Sequence, residues 1–346
     1  MSVIKRTLTL ILALAALCSF CLAEETLELE EVTGPAVGAS AEGEAVIEKD
    51  GWHFDAKGFL TGEDNPGEEY ILEDEKNGFW QYASRDLAVT VTRYREKVKK
   101  KTREYCIAEI HASAASPLSS ITSDATKKRP IGYMKENPTK LAQKYNAVFA
   151  ISDDYYGHRM QTRDQGKASW PVGVIIRDSG VLNAKTRPTG NRTWPPLDTM
   201  SVYEDGSLKV QTAGEKTAEE FLEEGAIHVF AFGPWLIRDG VVNEEEAGEN
   251  SNYYHYIEPR TAIGMVEPFH YIAIVVKGEP ADKYTGAYLS WLTAKFLEYG
   301  CTDAFNLDGG GTACMVFNGK AIEFGRSKVR NMGSMIAFGL RKKAGE

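Results

Sequence analysis

The sequence has 346 residues, of which 43% are hydrophobic, and a formal net charge of −9. This length is enough for one large domain or two modest ones with a packed core. The negative charge is concentrated in residues 24–76, which hold 17 acidic residues and three lysines, and residues 77–346 are mildly basic. That small basic excess suits an anionic small substrate but is too weak for a nucleic-acid-binding protein.

The chain begins with the pattern of a secretory signal peptide. Lys5 and Arg6 precede an apolar run over residues 8–22, and Ala23 offers a small residue for cleavage. A membrane anchor is the alternative, but the run is short for a span, which needs roughly 20 residues. We expect residues 1–23 to be removed, leaving a protein that is secreted or at the cell surface, with no stable membrane span.

The next segments differ in composition. Residues 24–50 are rich in Glu, Gly and Ala, which predicts an acidic, flexible linker. Residues 51–84 place aromatic side chains among Gly, Asp and Asn, which is typical of short strands and turns. Residues 87–93 and 105–110 then alternate as the two strands of a hairpin. Its basic tip, residues 95–103, is interpreted as solvated, with contact to a polyanion as the alternative.

A helix followed by a strand recurs three times in the rest of the chain. The first helix is capped by Asn137 and the second by a Thr217–Glu220 capping box. The pairs are a helix to residue 145 with strand 147–151, a helix to residue 225 with strand 227–232, and a helix near 283–299 with strand 303–307. Intervening hairpins, such as 172–176 with 181–183, indicate that the sheet is mixed. The expected fold is therefore α/β, with a mixed β-sheet core, flanking helices and a short β-rich N-terminal segment.

Each of these three strands leads into a polar or glycine-rich corner, and sites in open α/β sheets collect where strands end. The most informative corner is the motif NLDGGGT at residues 306–312. Three glycines leave the backbone bare, so that its amides can approach an anion. Asp308 stands at the entrance, where a carboxylate can orient a substrate or exchange a proton. A tight turn with a capping aspartate is the alternative.

Three further motifs carry charge. Arg260 opens an apolar strand, either as a structural ion pair or as a bidentate clamp for phosphate. Asp153 and Asp154 follow a buried strand, where they either supply acid–base groups or metal ligands, or begin a loop. Arg326 and Arg330 precede the final strand, where they either reach the same phosphate or form a solvated basic turn.

Together these motifs resemble the phosphodiester glycosidase family. The resemblance covers about residues 85–341, which are therefore the expected catalytic domain, and the matching pieces stand in the family's order. Two departures are present: the family has Asn-Gly where this sequence has Ser152-Asp153, and Ser where it has Thr312. The matching pieces are FAISDDYY at 149–156, PVGV at 171–174, FGPWLIRDG at 232–240, PRTAIG at 259–264, NLDGGGT at 306–312 and GR at 325–326.

The resemblance implies a secreted hydrolase that cleaves a sugar from a sugar-1-phosphate diester, in a phosphorylated glycan or a cell-surface polysaccharide. It implies that Asp308 and Asp154 activate water or stabilise a cation-like sugar, by analogy with paired glycosidase carboxylates. No cofactor is expected, and participation of a divalent metal is left open. The residues implied in binding phosphate and substrate are Arg260, Thr261, Asn306, Gly309, Gly310, Gly311, Thr312, Arg326, Tyr155 and His158.

Two other functions are compatible with the same residues. The first is a phosphodiesterase that cleaves the P–O bond at the same site. The second is a non-catalytic, secreted polysaccharide-binding protein that keeps the fold, and the Ser152-Asp153 departure supports it. Release of free sugar from a sugar-phosphate diester would distinguish the glycosidase from both.

Overall fold

The computed structural model describes residues 46–126, 129–154, 168–169, 173–185, 197–244, 256–278, 285–325 and 329–341. Strands account for 51% of these residues and helices for 10%. Three helices have their bounds within the described ranges: α1 (Pro138–Lys144), α2 (Ala218–Glu223) and α3 (Leu289–Glu298).

The strands are, in chain order, β1 (Ile47–Lys49), β2 (Trp52–Phe54), β3 (Tyr70–Asp74), β4 (Phe79–Ala83), β5 (Leu87–Val98), β6 (Lys101–Ala112), β7 (Ser119–Thr122), β8 (Ala125–Thr126), β9 (Arg129–Met134), β10 (Ala147–Ser152), β11 (Ala168–Ser169), β12 (Ile175–Arg177), β13 (Gly180–Asn183), β14 (Asp198–Tyr203), β15 (Leu208–Gln211), β16 (Ala226–Phe232), β17 (Trp235–Arg238), β18 (Val241–Val242), β19 (Arg260–Glu267), β20 (His270–Val276), β21 (Asp303–Leu307), β22 (Cys314–Phe317), β23 (Lys320–Phe324) and β24 (Ser334–Leu340).

Three sheets of five or more strands build the core. The largest has nine strands in the order β18-β17-β21-β19-β20-β6-β5-β4-β3. A five-stranded sheet, β23-β22-β10-β24-β7, contains the strand before the acidic corner, and a second one has the order β13-β12-β16-β14-β15. Two small sheets, β11-β9-β8 and β1-β2, complete the described strands. Neighbouring strands in these sheets run antiparallel, as between β19 and β21 and between β10 and β24.

The main hydrophobic core lies between sheets rather than between a sheet and helices. Val91 and Ile110 of the nine-stranded sheet share one buried cluster with Phe149 and Phe338 of the β10 sheet and Phe230 of the β16 sheet. On its other face, the nine-stranded sheet packs against α3. Each sheet therefore buries its apolar face mainly against another sheet, as in other layered β proteins.

The expected α/β fold with flanking helices is wrong, because the protein is mostly β-sheet. The three helices have only 7, 6 and 10 residues, too few to cover sheets of this size. The three units of a helix followed by a strand suggested a mixed sheet covered by helices. Apolar strands such as β20 also arise when both faces of an antiparallel sheet are buried, and periodicity alone does not separate the two arrangements.

Local predictions match the structure more closely. Asn137 caps α1 by accepting a hydrogen bond from the Thr139 amide, and Thr217 and Glu220 form the predicted capping box of α2. The strand predicted at 303–307 is β21 with the same bounds. Helix capping and strand alternation depend on residues that are close in sequence, so they can be detected without tertiary information.

The basic hairpin tip is shorter than predicted. Strands β5 and β6 extend to Val98 and from Lys101, so most of the expected tip is paired strand. Two cross-strand ion pairs offset its charge: Arg95 with Glu104 at 3.1 Å and Arg103 with Glu96 at 3.0 Å. Such pairing favours a structural role for these charges over contact with a polyanion.

The predicted signal peptide and most of the predicted linker lie outside the described residues. Within the described part of the chain, no helix has both the length and the apolar character needed to cross a membrane. In the expected β-rich segment, β4 pairs with β5 and β3 pairs with β4, so that both strands extend the nine-stranded sheet.

Candidate functional site

The acidic corner after β10 and the glycine turn after β21 meet where two sheets come together. The Asp308 amide donates a hydrogen bond to the Asp153 carbonyl oxygen at 2.9 Å. The Ser152 hydroxyl bonds to the Thr261 hydroxyl at 2.8 Å and to the Asp308 carbonyl oxygen at 3.0 Å. Direct hydrogen bonds therefore join the end of β10 to the ends of β19 and β21, although β10 belongs to a different sheet from the other two.

The glycine turn packs against Pro259, the residue before β19. The Gly310 amide donates to the Pro259 carbonyl oxygen at 2.8 Å, with Gly310 at a φ of 60°. A Cβ atom at Gly309 would lie 2.5 Å from that same oxygen, so a larger residue cannot occupy this position without a shift of backbone. Thr312 closes the turn, because its hydroxyl donates to the Gly309 carbonyl oxygen at 2.6 Å.

The turn presents fewer anion donors than three glycines suggest. The amides of Asp308, Gly310 and Thr312 all donate to carbonyl oxygens of the protein. Within the part of the chain that the structure describes, the amides of Gly309 and Gly311 have no such acceptor, which makes them the candidate anion donors of the turn.

Arg330 lies alongside the turn. Its amide donates to the Gly311 carbonyl oxygen at 2.7 Å, and a Cβ atom at Gly311 would come within 2.9 Å of its Nε atom. Arg330 is exposed and Asp308 is partly buried, so the mouth of the turn carries one cation and one carboxylate within reach of solvent. This combination suits a phosphate ester next to an acid–base group.

Asp154, the second predicted carboxylate, is held in a buried ion pair. One of its oxygens accepts a hydrogen bond from the Ala231 amide at 2.8 Å, and the other binds the Arg177 guanidinium. Arg177 also lies 3.5 Å from an Asp153 oxygen and donates to the Val229 carbonyl oxygen at 2.6 Å. Asp153, Asp154 and Arg177 are all buried, so this arrangement couples the acidic corner to β12 and β16.

Arg177 was not identified from the sequence. It ends an apolar strand and precedes a polar turn, so its local context is that of an ordinary hairpin. Its guanidinium places one positive charge beside two neighbouring buried carboxylates, which partly offsets the cost of burying them. The predicted catalytic role of Asp154 stays a prediction, with a structural function now established beside it.

The Arg177 charge also acts on His228. Burial, together with the nearby guanidinium, lowers the pKa of His228 to about 3. Its Nδ1 atom accepts a hydrogen bond from the Asp178 amide at 3.2 Å. His228 is therefore neutral near pH 7 and contributes no cation to this region.

Arg260, the predicted phosphate clamp, is buried, and its guanidinium donates hydrogen bonds to backbone carbonyl oxygens. Its Nε atom donates to the Ala287 carbonyl oxygen at 3.2 Å and its Nη2 atom donates to the Tyr256 carbonyl oxygen at 2.8 Å. It lies next to the glycine turn, since a Cβ atom at Gly309 would come within 3.3 Å of the Arg260 Cα atom. The backbone of Arg260 therefore borders the glycine turn, while its guanidinium binds the Ala287 and Tyr256 carbonyl oxygens.

Asn306 connects the turn to the third predicted corner. Its side-chain amide donates a hydrogen bond to the Gly233 carbonyl oxygen at 2.8 Å, and its backbone amide donates one to the Pro234 carbonyl oxygen at 3.2 Å. Asn306 is fully buried, and its Oδ1 atom has no hydrogen-bond partner in the described part of the protein. A buried acceptor of this kind is costly unless a ligand or water completes it, which is consistent with the predicted substrate-binding role.

The structure thus brings most of the predicted residues to one place. Eight of these residues surround the junction of β10, β19 and β21: Asp308, Gly309, Gly310, Gly311, Thr312, Asn306, Thr261 and Arg260. Thr261 and Thr312 are buried and hydrogen-bonded within the protein. Tyr155, His158 and Arg326 lie outside the described residues.

The family comparison agrees with the resemblance noted from the motifs. The model of the phosphodiester glycosidase family matches residues 145–338, which include the acidic corner, Arg260 and the glycine turn. This chain belongs to the phosphodiester glycosidase family, and the suspected family is confirmed.

Two curated proteins resemble parts of this chain. An uncharacterized protein of the SPbeta prophage, YomE of Bacillus subtilis (strain 168), is 28% identical over 190 residues, which cover 54% of this chain and 27% of YomE. The N-acetylglucosamine-1-phosphodiester alpha-N-acetylglucosaminidase of Bos taurus is 31% identical over 134 residues, which cover 35% of this chain and 24% of the bovine protein. The matched regions thus span about a quarter of the length of these relatives.

Two solved structures share the fold. The catalytic domain of zebrafish N-acetylglucosamine-1-phosphodiester alpha-N-acetylglucosaminidase, auto-inhibited by its pro-peptide, has a TM-score of 0.56 at 18% identity, covering 80% of this chain and 90% of that chain. A hypothetical protein from Synechocystis has a TM-score of 0.51 at 11% identity, covering 80% of this chain and 69% of its own. At these identities, the likeness establishes the fold alone.

Proposed function

We propose that this protein hydrolyses the C1–O bond of a glycosyl phosphodiester, releasing free sugar and a phosphate monoester. The observation that carries the proposal is the position of Asp308. It stands partly exposed at the entrance of a glycine turn whose two available amides and neighbouring arginine suit a phosphate. The membership in the phosphodiester glycosidase family supports the same reaction class.

The phosphate group would be held by the glycine turn. The amides of Gly309 and Gly311 are its candidate hydrogen-bond donors, and the exposed guanidinium of Arg330 adds a charge-assisted contact. Arg260, whose backbone borders the glycine turn, is proposed to add a further positive charge for the phosphate. These groups stabilise a departing phosphate as its negative charge develops, which is where electrostatic stabilisation has its largest effect on rate.

The proposed reaction needs less general-acid catalysis than the hydrolysis of an ordinary glycoside. Phosphate leaves readily, so no protonation of the leaving oxygen is needed, and water adds to C1 as the C1–O bond breaks. Asp308 would accept a proton from that water or stabilise the cation-like sugar. Asp154 is proposed as the second carboxylate. Through its ion pair with Arg177, it positions the acidic corner, where the Asp153 carbonyl oxygen accepts the hydrogen bond from the Asp308 amide.

We propose that the protein is secreted and that its substrate is a phosphorylated glycan or a cell-surface polysaccharide. The predicted signal peptide motivates the location, and the mild positive charge of residues 77–346 favours an anionic ligand. The orphaned Asn306 oxygen would accept a hydrogen bond from a sugar hydroxyl or an ordered water at the floor of the site.

Incubation of the purified full chain with a panel of sugar-1-phosphate diesters tests the proposal. Released reducing sugar is the readout, and Asp308→Asn serves as the inactive control. We expect at least one diester to yield sugar in an Asp308-dependent manner. Binding of the panel without turnover would instead support the non-catalytic alternative, which the Ser152-Asp153 departure favours.

A further inference from the structure

A cluster of two histidines and one glutamate lies on the face of the nine-stranded sheet that packs against α3 elsewhere along the strands. Glu109 and His111 stand on β6, two residues apart, so that both side chains project from the same face. His270 begins β20 and is the cross-strand partner of His111. Because β6 and β20 are far apart in sequence, only the tertiary fold brings these three side chains together.

The cluster is separate from the glycine turn. Strand β19 pairs with β20 so that Arg260 faces Val276 and Glu267 faces His270. Arg260 marks the end of this hairpin that contacts the glycine turn, and His270 lies at the opposite end. With a rise of about 3.3 Å per strand residue, the two places are about 20 Å apart along the strands.

The geometry resembles that of a metal site that has three protein ligands. The three ligand atoms all lie within 4.8 Å of one another. The Nε2 atoms of His270 and His111 lie 3.0 Å and 3.7 Å from the same Glu109 oxygen. Ligand atoms about 2.0–2.1 Å from a tetrahedral zinc ion are about 3.3 Å from each other, so small side-chain rotations would suffice.

The surroundings suit a bound cation with access to solvent. The side chains of His111 and His270 are each 15% exposed and that of Glu109 is 44% exposed. The nearby Lys57 is paired with Glu267 at 3.0 Å, which offsets its positive charge.

We propose that Glu109, His111 and His270 bind one divalent transition-metal ion, with Zn²⁺ as the best match to the ligand set. Two imidazoles and one carboxylate are a recurrent combination for zinc, and imidazole also suits cobalt, nickel and copper. The remaining coordination position faces solvent and is taken by water. The ion ties β6 to β20 at the end of the sheet remote from the glycine turn.

Zinc binding to the chelator-stripped full chain tests this proposal by isothermal titration. We expect one equivalent of Zn²⁺ per chain, a rise in Tm on its addition, and a visible absorption spectrum for the Co²⁺-loaded protein. The double variant His111→Gln/His270→Gln should bind Zn²⁺ at least about tenfold more weakly. His53→Gln, which removes a histidine outside the cluster, is the matched control and should bind like the native chain.

Glu109→Gln provides a second variant if the double variant fails to fold. Its side chain is partly exposed, so the substitution should leave folding intact while weakening Zn²⁺ binding at least about tenfold. The proposal is overturned if the native chain binds no Zn²⁺ at micromolar concentrations, or if the cluster variants bind it as tightly as His53→Gln does. The readout is metal binding, so this result is independent of whether the protein cleaves sugar phosphates.

Discussion

The Asp308 amide donates a hydrogen bond to the Asp153 carbonyl oxygen at 2.9 Å, joining the glycine turn after β21 to the acidic corner after β10. The two strands belong to different sheets, so this bond crosses the junction of the two layers. Ser152 strengthens the junction through the Asp308 carbonyl oxygen. The position of the proposed catalytic carboxylate therefore depends on how the two sheets pack.

Replacement of Asp308 by asparagine should remove turnover and leave the fold intact. Asparagine keeps the shape of the side chain and loses its charge, and Asp308 is only partly buried, so packing should change little. We expect a loss of about 10²–10⁴-fold in kcat, with Tm within about a degree of native, a change typical of surface substitutions. Asp64→Asn, at an exposed position, is the matched control. Near-native activity with a lowered Tm would identify Asp308 as structural.

Replacement of Asp154 by asparagine should behave differently. This change leaves the buried Arg177 without its closest anionic partner, and breaking a buried ion pair costs about 3–5 kcal/mol. We expect a lower free energy of unfolding in denaturant titrations, together with reduced activity. An Asp154→Asn protein of native stability and no activity would indicate instead that Asp154 acts directly on substrate.

Two glycines of the turn should differ in their tolerance of alanine. At Gly309 a Cβ atom would meet the Pro259 carbonyl oxygen at 2.5 Å, and this backbone cannot move aside cheaply. At Gly311 it would meet the Arg330 side chain, which is exposed and can swing away. We expect Gly309→Ala to lower both Tm and kcat, and Gly311→Ala to keep the native Tm but raise KM. Equal effects of the two substitutions on KM would argue against a role for Arg330 in binding.

His228 should make the protein less stable in acid. Its pKa is lowered to about 3 in the folded protein, mainly by burial, and is about 6.5 in the unfolded chain. Between these values the unfolded chain binds the proton and the folded protein does not. Stability should therefore be greatest above about pH 6.5 and fall as the pH drops towards about 3.

Thermal unfolding across this pH range measures the effect. His228→Gln removes the titrating group and should flatten the decline of Tm with falling pH, while His53→Gln should preserve it. A decline equally steep in both variants would show that other groups account for the acid sensitivity.

Several features of the site were predictable because they are local. The NLDGGGT motif marks a strand end followed by a glycine turn, and β21 and its turn occur at that position. The Asn137 cap and the Thr217–Glu220 capping box likewise depend on neighbouring residues alone. Their interactions span a few residues, so the sequence contains all that is needed to predict them.

Other features depend on partners that are distant in sequence. Arg177 meets Asp154 only because β12 and β10 lie in sheets that pack together, and nothing in its immediate sequence indicates the contact. Arg260 fitted both a structural and a phosphate-binding interpretation, and its bonds to Tyr256 and Ala287 appear only in the folded chain. The α/β prediction failed for the same reason, since the coverage of a sheet by another sheet is a tertiary property.

The central claim is that the C1–O bond of the diester breaks, and hydrolysis in ¹⁸O-labelled water tests it most directly. The full chain is incubated with a sugar-1-phosphate diester that it cleaves, and both products are analysed by mass spectrometry. Cleavage of the C1–O bond predicts ¹⁸O in the sugar and none in the phosphate monoester, with the signal lost in Asp308→Asn. Label in the phosphate instead would show P–O cleavage and contradict the assignment as a glycosidase.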